Sequence, residues 1–433
     1  MLLFCVTEPF TVEVAAQSDK VYRRPSVRLV EQAALPHSPR EARDGLRFEF
    51  RPPAAGALSA GSVYVATPFE VEALARALRD AGHTARIRAL AGDSSVAIQR
   101  RWLPRQLGHV RSSGSPFVSL ERQLADFDAR QSLRIAILNV FSPAFGDSIC
   151  CLTLIAELGR RLRARFSDVQ IDLLNVCFST GTDALYARSG LVREIRALPV
   201  SVATLASYDA FFDFTAEYVR QDLPWIDGCL EAVGVEHWTV AKEHKRNRLS
   251  LDVSVEEPAS AAVDLARSRG RPLLLFHPLA STPIRSMPPS VVPRALDALL
   301  DLTDYTVVST VRIPFAHARF IDWSSVSSTF DHFAYLISKV DTFITVDTAT
   351  YHVADAFDVP GIVLFTSIDL ALRVSYYPFV AGIELSPGNR LSGVHFSERA
   401  DDIRYAESLW EGVDFAGIVD ALRSVVSKRS RAA

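Results

Sequence analysis

Glycine is scarce, at 20 of 433 residues, and no strand-like stretch runs into G-x-G-x-x-G. That turn lets a dinucleotide-binding fold bring its backbone against a pyrophosphate, so a nicotinamide or flavin dehydrogenase is disfavoured. A P-loop and a G-x-S-x-G elbow are missing too, which removes P-loop phosphoryl transfer and serine-hydrolase chemistry. No Asp-x-Asp stands at a strand end to suggest a divalent ion, and no metal site is expected. The five cysteines (Cys5, Cys150, Cys151, Cys177, Cys229) are odd in number and lack C-x-x-C spacing. They read as free thiols in a reducing compartment, with Cys150 and Cys151 as small buried residues. Lysine occurs only at positions 20, 242, 245, 339 and 428, so nearly all 47 basic residues are arginine. A GC-rich bacterial genome gives that bias, and arginine also suits bidentate phosphate contact. No run approaches the roughly 18 apolar residues of a membrane span. Met1 to Val6 is apolar but short, without a basic flank and with Glu8 close behind, so no secretory leader is expected and the reading is cytoplasmic. A formal net charge of -3 does not point to nucleic acid.

What the chain has is 48% hydrophobic and 22% charged residues, enough for more than one core. Residues 1–130 differ from the rest. They carry a charged stretch from Ser38 to Arg47, Pro/Ala/Gly-rich text at Arg51 to Gly56, and one β-α-β-like unit. That unit runs Val63 to Thr67, Glu70 to Ala81, Thr84 to Ala89. Ser112 to Pro116 reads as a linker and Leu120 to Ala129 as a short amphipathic helix. From Arg134 strand and helix patterns alternate, as a doubly wound parallel sheet requires. The expected division is an accessory segment at 1–130 for acceptor recognition or oligomerisation, α/β halves at 131–255 and 256–395, and helices at 396–433 that cross back to the first half.

Three strand-to-loop junctions carry the chemistry. Val340 to Val346 reads as a buried strand running into Asp347-Thr348-Ala349-Thr350-Tyr351-His352 at the start of a helix. There the unpaired amides and positive dipole end suit a phosphate, helped by Thr348, Thr350 and His352. The alternative is that Asp347 or Thr348 only caps the helix and His352 packs under the strand ends. Arg134 to Val140 runs into Phe141 to Ser148, which contains Gly146 and Asp147. Pro272 to Pro278 runs into Leu279-Ala280-Ser281-Thr282-Pro283-Ile284-Arg285-Ser286-Met287-Pro288.

These loops resemble those of the heptosyltransferase-like glycosyltransferases of family 9. That family has a Gly-Asp loop after the first strand, a His/Asn-Pro-Gly-Ala…Lys/Arg…Trp-Pro loop, and an Asp-Thr-Gly…His loop. The resemblance covers roughly residues 133–395 and implies an α/β GT-B fold, two Rossmann-like domains facing across a cleft, here with an extra N-terminal α+β segment. By the same resemblance Asp147 is the base on an acceptor hydroxyl. Arg285, Ser281, Thr282, Asp347, Thr348, Ala349 and His352 bind the donor, and Gly146 and His277 lie at the cleft. Phe365 to Pro378 looks like the family's closing segment. Leu279, Met287 and Ala349 depart from the family's glycine, tryptophan and glycine, which bears on how closely backbone approaches a donor.

The expected activity is inverting, metal-independent transfer of a sugar from a nucleotide-diphosphate sugar, ADP-heptose-like, to a glycan or protein hydroxyl. No cofactor is needed beyond the donor substrate. The alternative is a degenerate relative that binds a nucleotide sugar or serves in assembly. Peripheral membrane contact and a homo-oligomer are further partner expectations. Three local alternatives stand beside these. Asp147 is a helix cap, His277 makes a structural hydrogen bond, and His317 faces solvent. The basic runs Arg160 to Arg165 and Lys242 to Arg248 read as a solvated helix face and a charged loop.

Overall fold

A computed structural model describes residues 2–6, 10–15, 26–30, 56–58, 62–66, 68–80, 87–90, 101–108, 117–125, 127, 132–138, 144–175, 182–214, 222–249 and 258–432. The expected linker Ser112 to Pro116, the charged stretch Ser38 to Arg47, the loop Asn139 to Pro143 and Cys177 lie outside them. The chain forms two compact units. The first comprises Met1–Arg43, Phe50–Gln221 and Ile226–Val240; the second comprises Asp44–Glu49, Asp222–Trp225 and Ala241–Ala433.

The second unit is built on six parallel strands. In sheet order they are Phe320–Asp322, Thr306–Ser309, Leu273–His277, Thr342–Val346, Gly361–Phe365 and Val380–Glu384. Counted along the chain this is the order 3-2-1-4-5-6 of a Rossmann sheet. Every residue of Leu273–His277, Thr342–Val346 and Gly361–Phe365 is buried, as expected of central parallel strands covered on both faces. The helix Val292–Leu302 buries Val292, Ala295, Leu296, Leu299 and Leu300, a 3.6-residue stripe against the sheet. Gly361 is required by packing, because a Cβ there would lie 2.3 Å from the Phe343 ring.

The expected return of the C-terminal helices to the first half does not occur. Trp410, Phe415, Ile418, Val419 and Leu422 share one core with Leu296, Leu299, Ile362 and Leu364. Arg423 also donates to Leu302 O (2.7 Å) and Arg429 Nε to Asp358 O (2.6 Å). The apolar stripe of Phe415–Ala432 is matched by a bare apolar face on its own unit, so it is buried there.

The first unit has a five-stranded parallel sheet in the order Glu194–Ala197, Asp168–Asn175, Ser132–Leu138, Ala210–Asp213, Arg105–Leu107. Asp172, fully buried, is held below the usual carboxylate range. Burial pushes it up, but hydrogen bonds from Arg193 and Tyr208 and the Arg134 charge outweigh that. The β-α-β unit read near residue 63 is a split one. Val63–Ala66 and Ile87–Leu90 each pair antiparallel with Leu2–Val6, which lies between them.

The boundary expected near residue 130 does not fall between two cores. Arg105–Leu107 is the edge strand of the parallel sheet, and Val200–Ser201 adds itself to Val63–Ala66. Leu120 N donates to Gly234 O (2.6 Å), and Gln123 bonds Gly108 N and Val118 O. A chain beginning at residue 131 loses that edge strand, whose Leu107 lies beside Phe212, and the bond from Leu120 to Gly234. We expect its urea midpoint to fall, or the protein to be insoluble. Unfolding of the full and shortened chains side by side checks this; equal midpoints would make residues 1–130 an independent appendage.

Candidate active site

In an open α/β sheet of this order the crevice lies beyond the carboxyl ends of the first and fourth strands, where the chain reverses its direction across the sheet. Those strands are Leu273–His277 and Thr342–Val346, paired His277 to Thr345. Two of the loops singled out from the sequence start there.

The loop after His277 is internally fastened. Met287 N donates to Pro278 O (2.8 Å), Ala280 N to Ser286 Oγ (2.9 Å), and Ser286 Oγ to Thr282 O (3.0 Å). Ile284 is buried against Leu391 and Ala406, and its carbonyl accepts from Thr366 Oγ1 (2.6 Å). With that anchor set, the one-turn helix Pro283–Arg285 aims Arg285 across to the next loop. Its Nη1 donates to Asp347 Oδ2 at 2.9 Å and its Nη2 to Ser281 Oγ at 2.9 Å. Met287 is buried in the sheet core, so a thioether fills the place the family gives to tryptophan, while Leu279 is exposed.

Asp347 is 3% exposed and also accepts from Tyr351 OH (3.0 Å). Burial pushes its carboxyl up, but the charges of Arg285 and Arg373 and the hydrogen bonds from Arg285 and Tyr351 hold it below the ordinary value. It is therefore a fixed anion, paired with Arg285 and within the field of Arg373. Thr348 is the N-cap residue of Ala349–Ala356, in extended conformation and without a side-chain cap bond. Thr348 and Ala349 are half-buried, whereas Thr350 is fully buried. The free amides of this helix open beside Arg285.

His352 is buried, with Nδ1 2.6 Å from Tyr377 OH and its ring 4.1 Å from that of Tyr351. Burial, then Arg373, lower it to about 3 against the pull of Asp347. His277 is buried as well, with Nδ1 2.8 Å from Thr310 Oγ1, and burial lowers it to about 4. Both histidines are buried and held neutral, each with a hydroxyl partner on Nδ1. His317 is exposed, accepting from Arg319 N on Nδ1 (3.1 Å).

Arg373, which sequence reasoning passed over inside the closing segment, follows the short helix Leu370–Leu372. Its guanidinium stands 5.1 Å from the Trp225 ring centroid, and its Nη2 is 3.2 Å from His395 Nδ1. The only signal for it was a lone arginine in an apolar segment next to the phosphate loop.

Asp147 and Gly146 belong to the first unit, in the first turn of Phe145–Arg163. The cap position is Ala144, which makes no side-chain cap bond. Asp147 is thus not the N-cap; as an acid in the first turn it faces the favourable end of the dipole. Gly146 is buried and Asp147 half-buried. The basic runs are committed to ion pairs. Arg160 and Arg161 bind Glu157, Arg161 binds Glu121, and Arg246 binds Asp355 and Asp358. Among the described residues no group of three or more His, Cys, Asp or Glu could hold a metal, and no helix is long and apolar enough to cross a membrane.

Two Rossmann-like α/β units, the second with its cationic crevice at the switch point, are the architecture of GT-B glycosyltransferases. Residues 327–373, which span Asp347 to Arg373, match the sequence model of glycosyltransferase family 9 (heptosyltransferase). That match agrees with the resemblance read from the loops: over this segment the chain is similar to the heptosyltransferase-like glycosyltransferases of family 9. Solved structures similar to it include ADP-heptose lipopolysaccharide heptosyltransferase II of E. coli, at 14% identity and TM-score 0.48, covering 69% of this chain and 100% of that one. A family 9 glycosyl transferase of Veillonella parvula gives 12%, 0.46, 70% and 99%. The iron-containing dodecameric glycosyltransferase TibC of enterotoxigenic E. coli gives 12%, 0.45, 70% and 83%. No curated protein matches the chain.

Removing Asp347 leaves the half-buried Arg285 without its anion, a change that costs ~1–3 kcal/mol. Asp347→Ala should lose that much in urea denaturation, and a loss below ~1 kcal/mol would mean that the pair is not the loop's anchor. The pH dependence has opposing contributions. His277 and His352 have lowered values when folded, so the unfolded chain binds protons first and their contribution falls as pH drops from about 6.5 toward 4. Asp355, raised to about 7 when folded, contributes the opposite way over the same range, one carboxyl against two histidines, so the net slope is downward. Asp347, also lowered, adds stability above about pH 4 that is lost as pH falls further. Denaturation at pH 7.5, 5.5 and 4.5 should show this slope, and His352→Asn should flatten it. An unchanged slope would contradict the buried neutral histidine.

Proposed function

We propose that the chain transfers a heptose-like sugar from a nucleotide-diphosphate donor, ADP-heptose in type, to a hydroxyl of a glycan or protein acceptor, with inversion and without a metal. The observation that carries this is the pair Arg285 and Arg373 flanking Asp347 at the amino end of Ala349–Ala356. The two guanidinium groups outnumber the one carboxylate, and the helix dipole adds to them, so the crevice favours a dianionic diphosphate. The match of residues 327–373 to the heptosyltransferase family supports a heptosyl donor.

In this reading the acceptor oxygen attacks the anomeric carbon while the bond from that carbon to the diphosphate oxygen breaks on the opposite face. Asp147 takes the hydroxyl proton, and the departing diphosphate keeps the electron pair. Its charge is met by Arg285, Arg373 and the amides after Thr348, fixed before the reaction starts. Asp347 makes no contact with the donor; it orients Arg285.

A thermal-shift panel of ADP-, UDP-, GDP- and dTDP-sugars tests the donor, because a ligand that binds only the folded chain raises its melting temperature. ADP-heptose should give the largest shift. By calorimetry Arg285→Ala should weaken that donor by ~1.5–3 kcal/mol, the value of a charge-assisted contact, and Thr348→Val should weaken it less. Asp147→Asn should bind donor normally and lose ~10²–10⁴-fold in turnover. Binding unchanged in Arg285→Ala, or turnover unchanged in Asp147→Asn, would remove that residue from its role.

A further inference from the structure

His395 lies beyond the segment that matches the family and was not singled out from the sequence. It is exposed at the rim of the crevice, on the loop between Leu391 and Ala400. The charges of Arg373, Arg285 and Asp347 all reach it, and partial enclosure together with the two arginines keeps its imidazole below the ordinary value. Arg373 Nη2 lies 3.2 Å from His395 Nδ1. A guanidinium can only donate hydrogen bonds, so Nδ1 must be the acceptor. A neutral imidazole that accepts on Nδ1 carries its proton on Nε2. Nε2–H has no hydrogen bond to another described residue, and the charges that reach the ring are two guanidinium groups against the one carboxylate of Asp347. An acceptor in reach of that N–H sits in a net cationic field, which favours an oxyanion.

We propose that His395 is a third binding residue of the diphosphate site, donating from Nε2–H to a phosphate oxygen while Arg373 fixes its tautomer. This rests on the donor-site reading above. The arrangement gives the crevice one neutral donor beside two cationic ones. It also ties the 391–400 loop to the ligand, so this loop orders the rim when a diphosphate binds.

The test separates the two nitrogens. Asparagine places an acceptor where Nδ1 stands and keeps the bond from Arg373; glutamine places an N–H donor near Nε2 and loses that bond. Dissociation constants of ADP and of inorganic pyrophosphate would be measured by calorimetry for wild type, His395→Ala, His395→Asn and His395→Gln. The expected result is a loss of about 3- to 10-fold for both probes in the alanine and asparagine variants, and recovery to within about twofold in the glutamine variant. Recovery by asparagine and not by glutamine would show that His395 only holds Arg373 in place. Equal binding in all four proteins would remove His395 from the site. Nitrogen-15 shifts of the unliganded chain give a second readout. They should show a proton on Nε2 and none on Nδ1, and the opposite tautomer would overturn the proposal. A wild type that binds neither probe would instead overturn the donor-site reading, and with it this proposal. Variants that bind as well as a wild type that does bind overturn the His395 proposal alone.

Discussion

The carboxylate of Asp347 is the group around which the carboxyl edge of the second sheet is organised. It is buried, it stays ionised because Arg285 and Arg373 outweigh the cost of burial, and it receives a hydrogen bond from Tyr351 in the helix that follows it. A buried charge held in this way is a weak source of net stability but a strong constraint on geometry. It fixes Arg285, whose loop is pinned at its other end by Ile284 in a hydrophobic cluster. Two loops from adjacent strands are thereby locked together before any ligand arrives, which is what electrostatic stabilisation of a leaving group requires.

The same helix is tied down at its far end. Asp355, buried in the last turn, accepts from Asn247 N–H (2.9 Å), with Arg246 Nη2 3.4 Å away. Burial pushes it up to about 7 against those two partners. Ala349–Ala356 is therefore braced by Asp347 and Tyr351 at one end and by the 241–249 segment at the other. The histidine between them, His352, packs on Tyr351 and meets the Tyr377 hydroxyl. A short helix of this kind has little stability of its own; its position comes from these fixed side chains.

Much of the fold was legible in the sequence because central parallel strands leave an unambiguous trace. Leu273–His277, Thr342–Val346 and Gly361–Phe365 are continuous apolar runs, read in place from β-branched and aromatic content. The strand order was not legible, since periodicity carries no information on which strand lies beside which. Arg105–Leu107 and Val200–Ser201 are too short and too polar to be read as strands; pairing alone defines them. The C-terminal helices were placed on the wrong half because an apolar stripe announces that it is buried and not against what. At the site, Asp347 and Thr348 were singled out from a strand-to-helix junction, where the chain must leave amides unpaired, and Arg285 from the resemblance to family 9 loops. Arg373 and His395 were not, because both sit on irregular loops and gain their significance only from proximity to Asp347. The burial of His277 and His352 and their hydroxyl partners were likewise not legible, since both depend on neighbours distant in sequence.

The central claim, that the carboxyl edge of the second sheet holds a nucleotide-diphosphate sugar, is tested most directly by amide hydrogen exchange with and without saturating ADP-heptose. The account predicts slowed exchange in 279–287, 347–352 and 367–373, with the amides after Thr348 most protected. Exchange unchanged across all three segments in a chain shown to bind the donor would contradict it.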